Sequence, residues 1–252
     1  MTDPLPAPAY CDVYWTRPTA DIDATWLSDS DAQRVARLRD PEDRHRSLTA
    51  AALLQLAVVT RLGTLAMPII RECPRCDIAH GRPRIAADRA HLSVAHAHER
   101  VAVAISDCEV GIDVEHALPA AWDPMDVAEA ISGPEELLSD AEEFYRTWVR
   151  KEALVKATGE GLNRPLCEIA VTGSRSAPRV LRYEGLDPTA VTLVDLDLGD
   201  RYPGAVALLT RDAPEIVVIH VDDRRLMAPF QPQAVRSGRS SNQRIPFPLQ
   251  DR

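Results

Sequence analysis

The stretch Ala141–Thr158 does most to limit what this chain can become. It carries a helical pattern from end to end and stops at Gly159, the residue type that most readily closes a helix in the left-handed conformation. On such a helix Trp148, Glu152 and Lys156 are spaced by four and share one face, with Lys151 and Val155 on a neighbouring line. In open water a Glu152–Lys156 pair contributes only about 0.2–0.5 kcal/mol. Trp148 and Leu154 point instead to a helix that is mostly packed, with the charged pair beside an indole. Lys151 and Lys156 are also the only lysines among 29 basic residues. Arginine stands everywhere else, as biased genomic composition could produce, which raises the question of whether these two are held for chemistry.

Around it the pattern mixes strands and helices. Cys11–Trp15, His91–Val94, Val101–Ile105, Val110–Glu115, Ile169–Thr172, Ala190–Leu196, Ala205–Thr210 and Ile216–Val221 read as strands. Ser30–Arg39, Asp43–Leu62 and Asp126–Ile131 read as helices, and Ser132-Gly-Pro-Glu135 as a capping box opening another helix at about Glu135. The fold class is α+β with α/β character. At 252 residues the chain fits one large domain or two small ones. Residues 1–10 form a Pro/Ala leader without the basic start and apolar stretch of a signal peptide, and residues 224–252 lack periodicity and read as a disordered tail. The longest apolar run, Ala50–Val59, is broken by Gln55 and falls short of the roughly 18 residues of a membrane span. A cytoplasmic protein is expected.

The formal net charge of −9 argues against a nucleic-acid binder. Residues 34–46 nevertheless hold five arginines against three acids, either a solvated face or a contact for a phosphate-bearing ligand. Five scattered cysteines make a disulfide framework unlikely. Cys73, Cys76 and His80 have the spacing of three zinc ligands, with a distant residue such as Cys11, or a water, needed as the fourth. Free thiols in a surface loop are the simpler reading.

Two further motifs carry chemistry. In Val110-Gly-Ile-Asp-Val-Glu115 strand alternation sends Asp113 and Glu115 to one face and Ile112 and Val114 to the other. Paired carboxylates on an apolar strand repel each other unless solvated or neutralised, and oxygen ligands in pairs suit magnesium. His91-Leu-Ser-Val-Ala-His-Ala-His98 is a strand running into a turn, preceded by Gly81-Arg-Pro-Arg84, whose cations could meet an anion.

In this order the pieces become specific: Gly-Arg-Pro, a His-bearing strand end followed by Val-Ala-Val-Ala, Gly-Ile-Asp-Val-Glu, then Trp-x-x-Lys-Glu-x-x-x-Lys with Gly159-Glu-Gly-Leu. Over about residues 11–221 the chain resembles the 4′-phosphopantetheinyl transferases, and within them the larger, two-subdomain Sfp-type class. That resemblance implies two similar subdomains related by a pseudo-twofold axis, 11–108 and 109–223, with coenzyme A and magnesium in the cleft between them. It implies an enzyme, a holo-[acyl-carrier-protein] synthase. Such an enzyme moves the phosphopantetheine arm of coenzyme A to a serine of an apo acyl or peptidyl carrier protein and releases adenosine 3′,5′-bisphosphate. Polyketide, nonribosomal peptide or fatty acid synthases are the systems served. By the same resemblance Asp113, Glu115 and Glu152 would hold the magnesium, while Lys156 and His96 would contact the diphosphate. Arg82 would stand near the nucleotide, and Arg34, Arg46 and Ser47 near the adenosine 3′-phosphate. Glu152, or a water it orients, is the expected proton acceptor. Relatives are monomers, so a monomer is implied. Two departures stand out: Ala95 replaces a serine, and Asp31 falls where relatives carry a cation. The rival reading is a binding protein, either a catalytically silent carrier-docking relative or a zinc-loop module.

Overall fold

The computed structural model describes residues 9–63, 69–71, 81–85, 90–117, 123–229 and 242–245. Strands β1 (Tyr10–Thr16), β2 (Ile69–Arg71), β3 (Pro83–Ile85), β4 (His91–Ala97) and β5 (Arg100–Ser106) build a large sheet together with two strands from the far end of the chain, described below. Helices α1 (Asp29–Ala36) and α2 (Pro41–Leu62) lie between β1 and β2 in sequence. Helix α2 begins where Asp40 accepts a hydrogen bond from the Asp43 amide, with Pro41 in its first turn, and ends at Gly63 with φ of 65°.

β6 (Val110–Val114) leaves the large sheet and starts a smaller one. After the short helix α3 (Ala128–Ile131) comes α4 (Ala141–Thr158), capped by Asp140 and closed by Gly159 at φ 77°. β7 (Ala170–Val171) and β8 (Val180–Arg182) form a hairpin-like pair, and β9 (Thr192–Asp197) and β10 (Pro203–Leu208) complete the small sheet in the order β6-β10-β9. β11 (Glu215–His220) then returns to run parallel to β1. The large sheet therefore takes the order β12-β11-β1-β5-β4-β3-β2 and draws on both ends of the chain. Although β11 lies within the 109–223 span, it packs in the sheet of β1 because that edge is otherwise open.

Alternation of side chains sorts the core into layers. From β5, Val101, Val103 and Ile105 pack with Leu53, Leu54 and Leu56 of α2. Its small residues Ala102 and Ala104 face the other way, against Ile112 of β6 and Val206 of β10. On the far side Ala205 and Ala207 of β10 meet Val149, Ala153 and Leu154 of α4. The order is helix α2, large sheet, small sheet, helix α4: an α+β fold with three contiguous apolar clusters.

Two expectations are corrected here. No helix opens at Glu135; residues 132–140 form turns and extended backbone. Only half of a capping box forms, one residue on: Gly133 donates its amide to the Glu136 carboxylate at 2.7 Å, while the Glu136 amide closes a turn on the Gly133 carbonyl at 3.1 Å. Glu136, however, also binds Lys151 of α4 and the Val171 amide, which ties it across the fold rather than into a helix. The tail is the second. Within 224–252, residues 224–229 and 242–245 are described, and they contain helix α5 (Arg224–Met227) and strand β12 (Asn242–Ile245), antiparallel to β11. The Trp26 indole donates to the Ala228 carbonyl at 2.9 Å, fixing the start of that segment. The remainder of the tail, and residues 1–8 of the leader, lie outside the described residues, whereas Tyr10 already belongs to β1. No helix among the described residues is long and apolar enough to cross a membrane.

Candidate active site

Gly111 is where the site begins. A Cβ built there would lie 1.9 Å from the Ala153 carbonyl oxygen, 2.4 Å from the Ala157 nitrogen and 2.9 Å from the Lys156 Cβ. Only glycine lets α4 approach β6 this closely. The approach brings the Glu152–Lys156 face of α4 onto the Gly111–Asp113 face of β6. The Lys156 Nζ stands 2.5 Å from the Asp113 Oδ1.

Asp113 is buried, and that burial raises its pKa although the Lys156 ammonium pulls the other way. Glu115 is pushed up to about 7 by burial and then by the charge of Asp113; the His116 amide, Lys156 and the Trp148 indole partly offset this. Glu152 is raised by burial and again by Asp113. Three carboxylates thus share one ammonium. Asp113 Oδ2 and Glu152 Oε1 are buried without a hydrogen-bond partner, the kind of deficit a cation relieves. Among the described residues no three acidic, histidine or cysteine side chains converge tightly enough to ligate one ion as they stand, and Asp113 is engaged by Lys156. The surplus of carboxylate charge and the two orphaned oxygens nevertheless fit a hard divalent cation, and oxygen-only donors suit magnesium.

A cleft of about 290 Å³ opens over this group. Asp113, Glu115 and Lys156 line it, as do Ser47 of α2, His96 of β4, Arg34 of α1 and Arg71 of β2. His96 is partly open to the cleft, yet crowding and the nearby Arg46 and Lys156 charges hold its imidazole below the usual value. Glu152 does not line the cleft and reaches it only through its neighbourhood with Asp113. Arg46 pairs with Asp43 at 2.7 Å and Glu42 at 3.3 Å and lines an adjoining cavity of about 240 Å³ with Arg17 and His45.

Arg82 is placed differently from the rest. It contacts Glu109 at 2.5 Å and donates to the carbonyls of Val110 at 2.9 Å, Leu92 at 3.3 Å and Ala157 at 3.4 Å. It clamps β4, β6 and the end of α4 together and does not line the cleft. Cys73, Cys76 and His80 lie outside the described residues. Cys11, considered as a fourth zinc ligand, sits fully buried on β1 with its thiol pushed up by burial, so it is a core side chain. The residues that motif reading missed are Gly111, whose small size inside an apolar strand is itself a signal of close approach, and Arg71, which carries no periodic or spacing signal at all.

The chain is similar in sequence to known proteins of one kind. The sequence model of the 4′-phosphopantetheinyl transferase superfamily matches residues 109–207, which contain both β6 and α4. That match spans the part of the chain that carries the site, and the chain is similar to curated 4′-phosphopantetheinyl transferases along most of its length. It is 25% identical over 221 residues to the 4′-phosphopantetheinyl transferase Sfp of Bacillus subtilis, covering 82% of this chain and 95% of that one. It is 23% identical to the 4′-phosphopantetheinyl transferase gsp of Aneurinibacillus migulanus, over 70% of this chain and 73% of that one. With the 4′-phosphopantetheinyl transferase psf-1 of Bacillus pumilus it shares 30% identity over 42% of this chain and 48% of the relative. The protein is an enzyme of the class these relatives are named for.

Proposed function

We propose that this protein transfers the phosphopantetheine arm of coenzyme A to a serine of an apo acyl or peptidyl carrier protein, with magnesium, releasing adenosine 3′,5′-bisphosphate. The observation that carries the reading is the pair of partnerless buried oxygens, Asp113 Oδ2 and Glu152 Oε1, beside Lys156 at a cleft that also holds Arg34, Ser47 and His96. A diphosphate needs cations around it, and the surplus of carboxylate charge there supports a metal.

In that reading Asp113, Glu115 and Glu152 hold the ion, which supplies charge neutralisation on the diphosphate when bound. The chain's own groups do the rest. Lys156 presents a compact ammonium to the diphosphate and steadies the charge that builds on the departing oxygen. His96, with its pKa held down, is largely neutral at pH 7 and donates or accepts a single hydrogen bond at the cleft wall. Glu152, whose pKa burial and Asp113 raise, stands behind the cleft wall and takes the proton of the attacking serine through a water it orients. The serine Oγ forms a bond to the phosphorus on the pantetheine side. The bond to the adenosine-side phosphate breaks, and adenosine 3′,5′-bisphosphate leaves with the electron pair. Arg34, Arg46 and Ser47 serve the 3′-phosphate end. The two sheets with their helices correspond to two related subdomains in this reading, and the protein acts as a cytoplasmic monomer serving polyketide, nonribosomal peptide or fatty acid synthases.

Mass spectrometry of several apo carrier proteins, incubated with coenzyme A and magnesium chloride, tests the reading. The expected result is the mass of one phosphopantetheine on the carrier serine and stoichiometric adenosine 3′,5′-bisphosphate. Carriers that all stay unmodified would overturn it.

A further inference from the structure

β2 ends on Arg71, and this side chain reaches the same cleft as Arg34 of α1. Asp31 is buried between them. Its Oδ1 lies 3.4 Å from Arg34 Nη2 and 3.9 Å from Arg71 Nε, while its Oδ2 accepts a hydrogen bond from the Ser28 hydroxyl at 2.8 Å. One carboxylate therefore faces two guanidiniums, and positive charge is left over. Both Nε–H groups, of Arg34 and of Arg71, are buried without an acceptor. Burial, followed by repulsion from Arg34, lowers Arg71 to about 10, so it stays charged at neutral pH. Two guanidiniums that line one cleft, carry a net positive charge and each keep a buried donor without an acceptor describe a place completed by an anion. Planar guanidinium forks match the oxygens of a phosphate.

Which phosphate follows from the division of labour along the cleft. Coenzyme A carries a diphosphate, at which the proposed transfer takes place, and a separate monoester on the ribose 3′ carbon. The carboxylates and Lys156, on β6 and α4, form the end where a metal and a leaving group are managed. Arg34, Arg71 and Asp31 come from other elements, α1 and β2, and contain no orphaned carboxylate oxygen for a metal. We propose that Arg71, paired with Arg34, grips the 3′-phosphate of coenzyme A and makes up for the acid at position 31. This rests on the transfer reaction proposed above. Asp31 then has a role of its own: it keeps two like charges side by side when the cleft is empty and fixes the directions of their forks.

Two assays, with coenzyme A and with its 3′-dephospho form, test the assignment. In the first, kcat/KM for transfer to an apo carrier is compared for the parent protein and Arg71→Gln. The loss expected with coenzyme A is about tenfold or more, carried by KM, as for removal of a hydrogen bond to a charged group; with the dephospho donor little changes. In the second, calorimetry compares adenosine 3′,5′-bisphosphate with adenosine 5′-monophosphate and needs no turnover. Arg71→Gln is expected to erase most of the preference for the bisphosphate, and Arg71→Lys to recover part of it. An equal loss with both donors, no loss with coenzyme A, or an unchanged bisphosphate preference would each overturn the assignment. Should Arg71→Gln not fold, Arg71→Lys is read in the same assays, and full retention of the parent's preference counts against it. Should the parent transfer nothing, it is the reaction that fails, and the calorimetry alone decides on Arg71.

Discussion

Lys151 and Lys156, the chain's only lysines, lie on adjacent turns of α4 and do different things. Lys151 is fully buried; its ammonium bonds Glu136 and the carbonyls of Ile131, at 2.5 Å, and Leu166, at 3.1 Å. It is a structural cation that joins the loop before α4 to the segment after it. Removing one partner of such a pair leaves a buried charge, so Lys151→Met is expected to lose about 3–5 kcal/mol in urea denaturation. Lys156, by contrast, is partly open to the cleft, and Lys156→Ala is expected to slow transfer about a hundredfold or more in a steady-state assay. Glu115 adds a pH dependence. Its folded pKa of about 7 lies above the ordinary glutamate value of 4.5, so the folded protein holds the extra proton between them. Stability from this group is greatest below 4.5, falls as pH rises to 7 and is flat above. Without divalent cation, Glu115→Gln is therefore expected to melt roughly a few degrees above the parent at pH 8, the gap closing toward pH 4.5. Magnesium should raise the parent's melting temperature more at pH 8 than at pH 5, as scanning calorimetry can show.

At the scale of elements, the contact of α4 with β6 decides whether there is a site. Gly111→Val would drive a branched side chain into the backbone of α4, where even a Cβ is 1.9 Å from the Ala153 oxygen. Overpacking of this kind costs about 1–3 kcal/mol or more, and the separation it forces pulls Lys156 from Asp113. Equilibrium unfolding and a transfer assay on the same sample should therefore fall together. α4 was legible in the sequence because its pattern is long and its Gly159 stop is sharp. The alternation in β6 was legible for the same reason: Val110, Ile112 and Val114 do face the large sheet while Gly111 and Asp113 face α4. The capping box at Ser132–Glu135 misled because a local signal competed with a long-range one, Glu136 to Lys151 and Val171. Strand β12 was missed because Asn242–Ile245 has little apolar alternation of its own; its place comes from the open edge of β11.

For the whole molecule, the net charge of −9 describes the exterior, while Arg34, Arg71, His96 and Lys156 gather at one cleft. That convergence was only partly readable beforehand. Resemblance supplied the residues on β6, α4 and α2, but which cations share a cavity depends on the stacking of two sheets and two helices. Arg82, which motif order associated with the nucleotide, proves to tie β4, β6 and α4 through backbone carbonyls. Arg71 enters only because β2 ends at the cleft. On the proposed function, the carboxylates gathered by the α4–β6 contact operate the transfer. The direct test is the rate of phosphopantetheine transfer to an apo carrier by Asp113→Ala and Glu152→Ala, each confirmed as folded by its melting curve. Transfer is expected to be abolished in both. Transfer at the parent rate in both variants would contradict it.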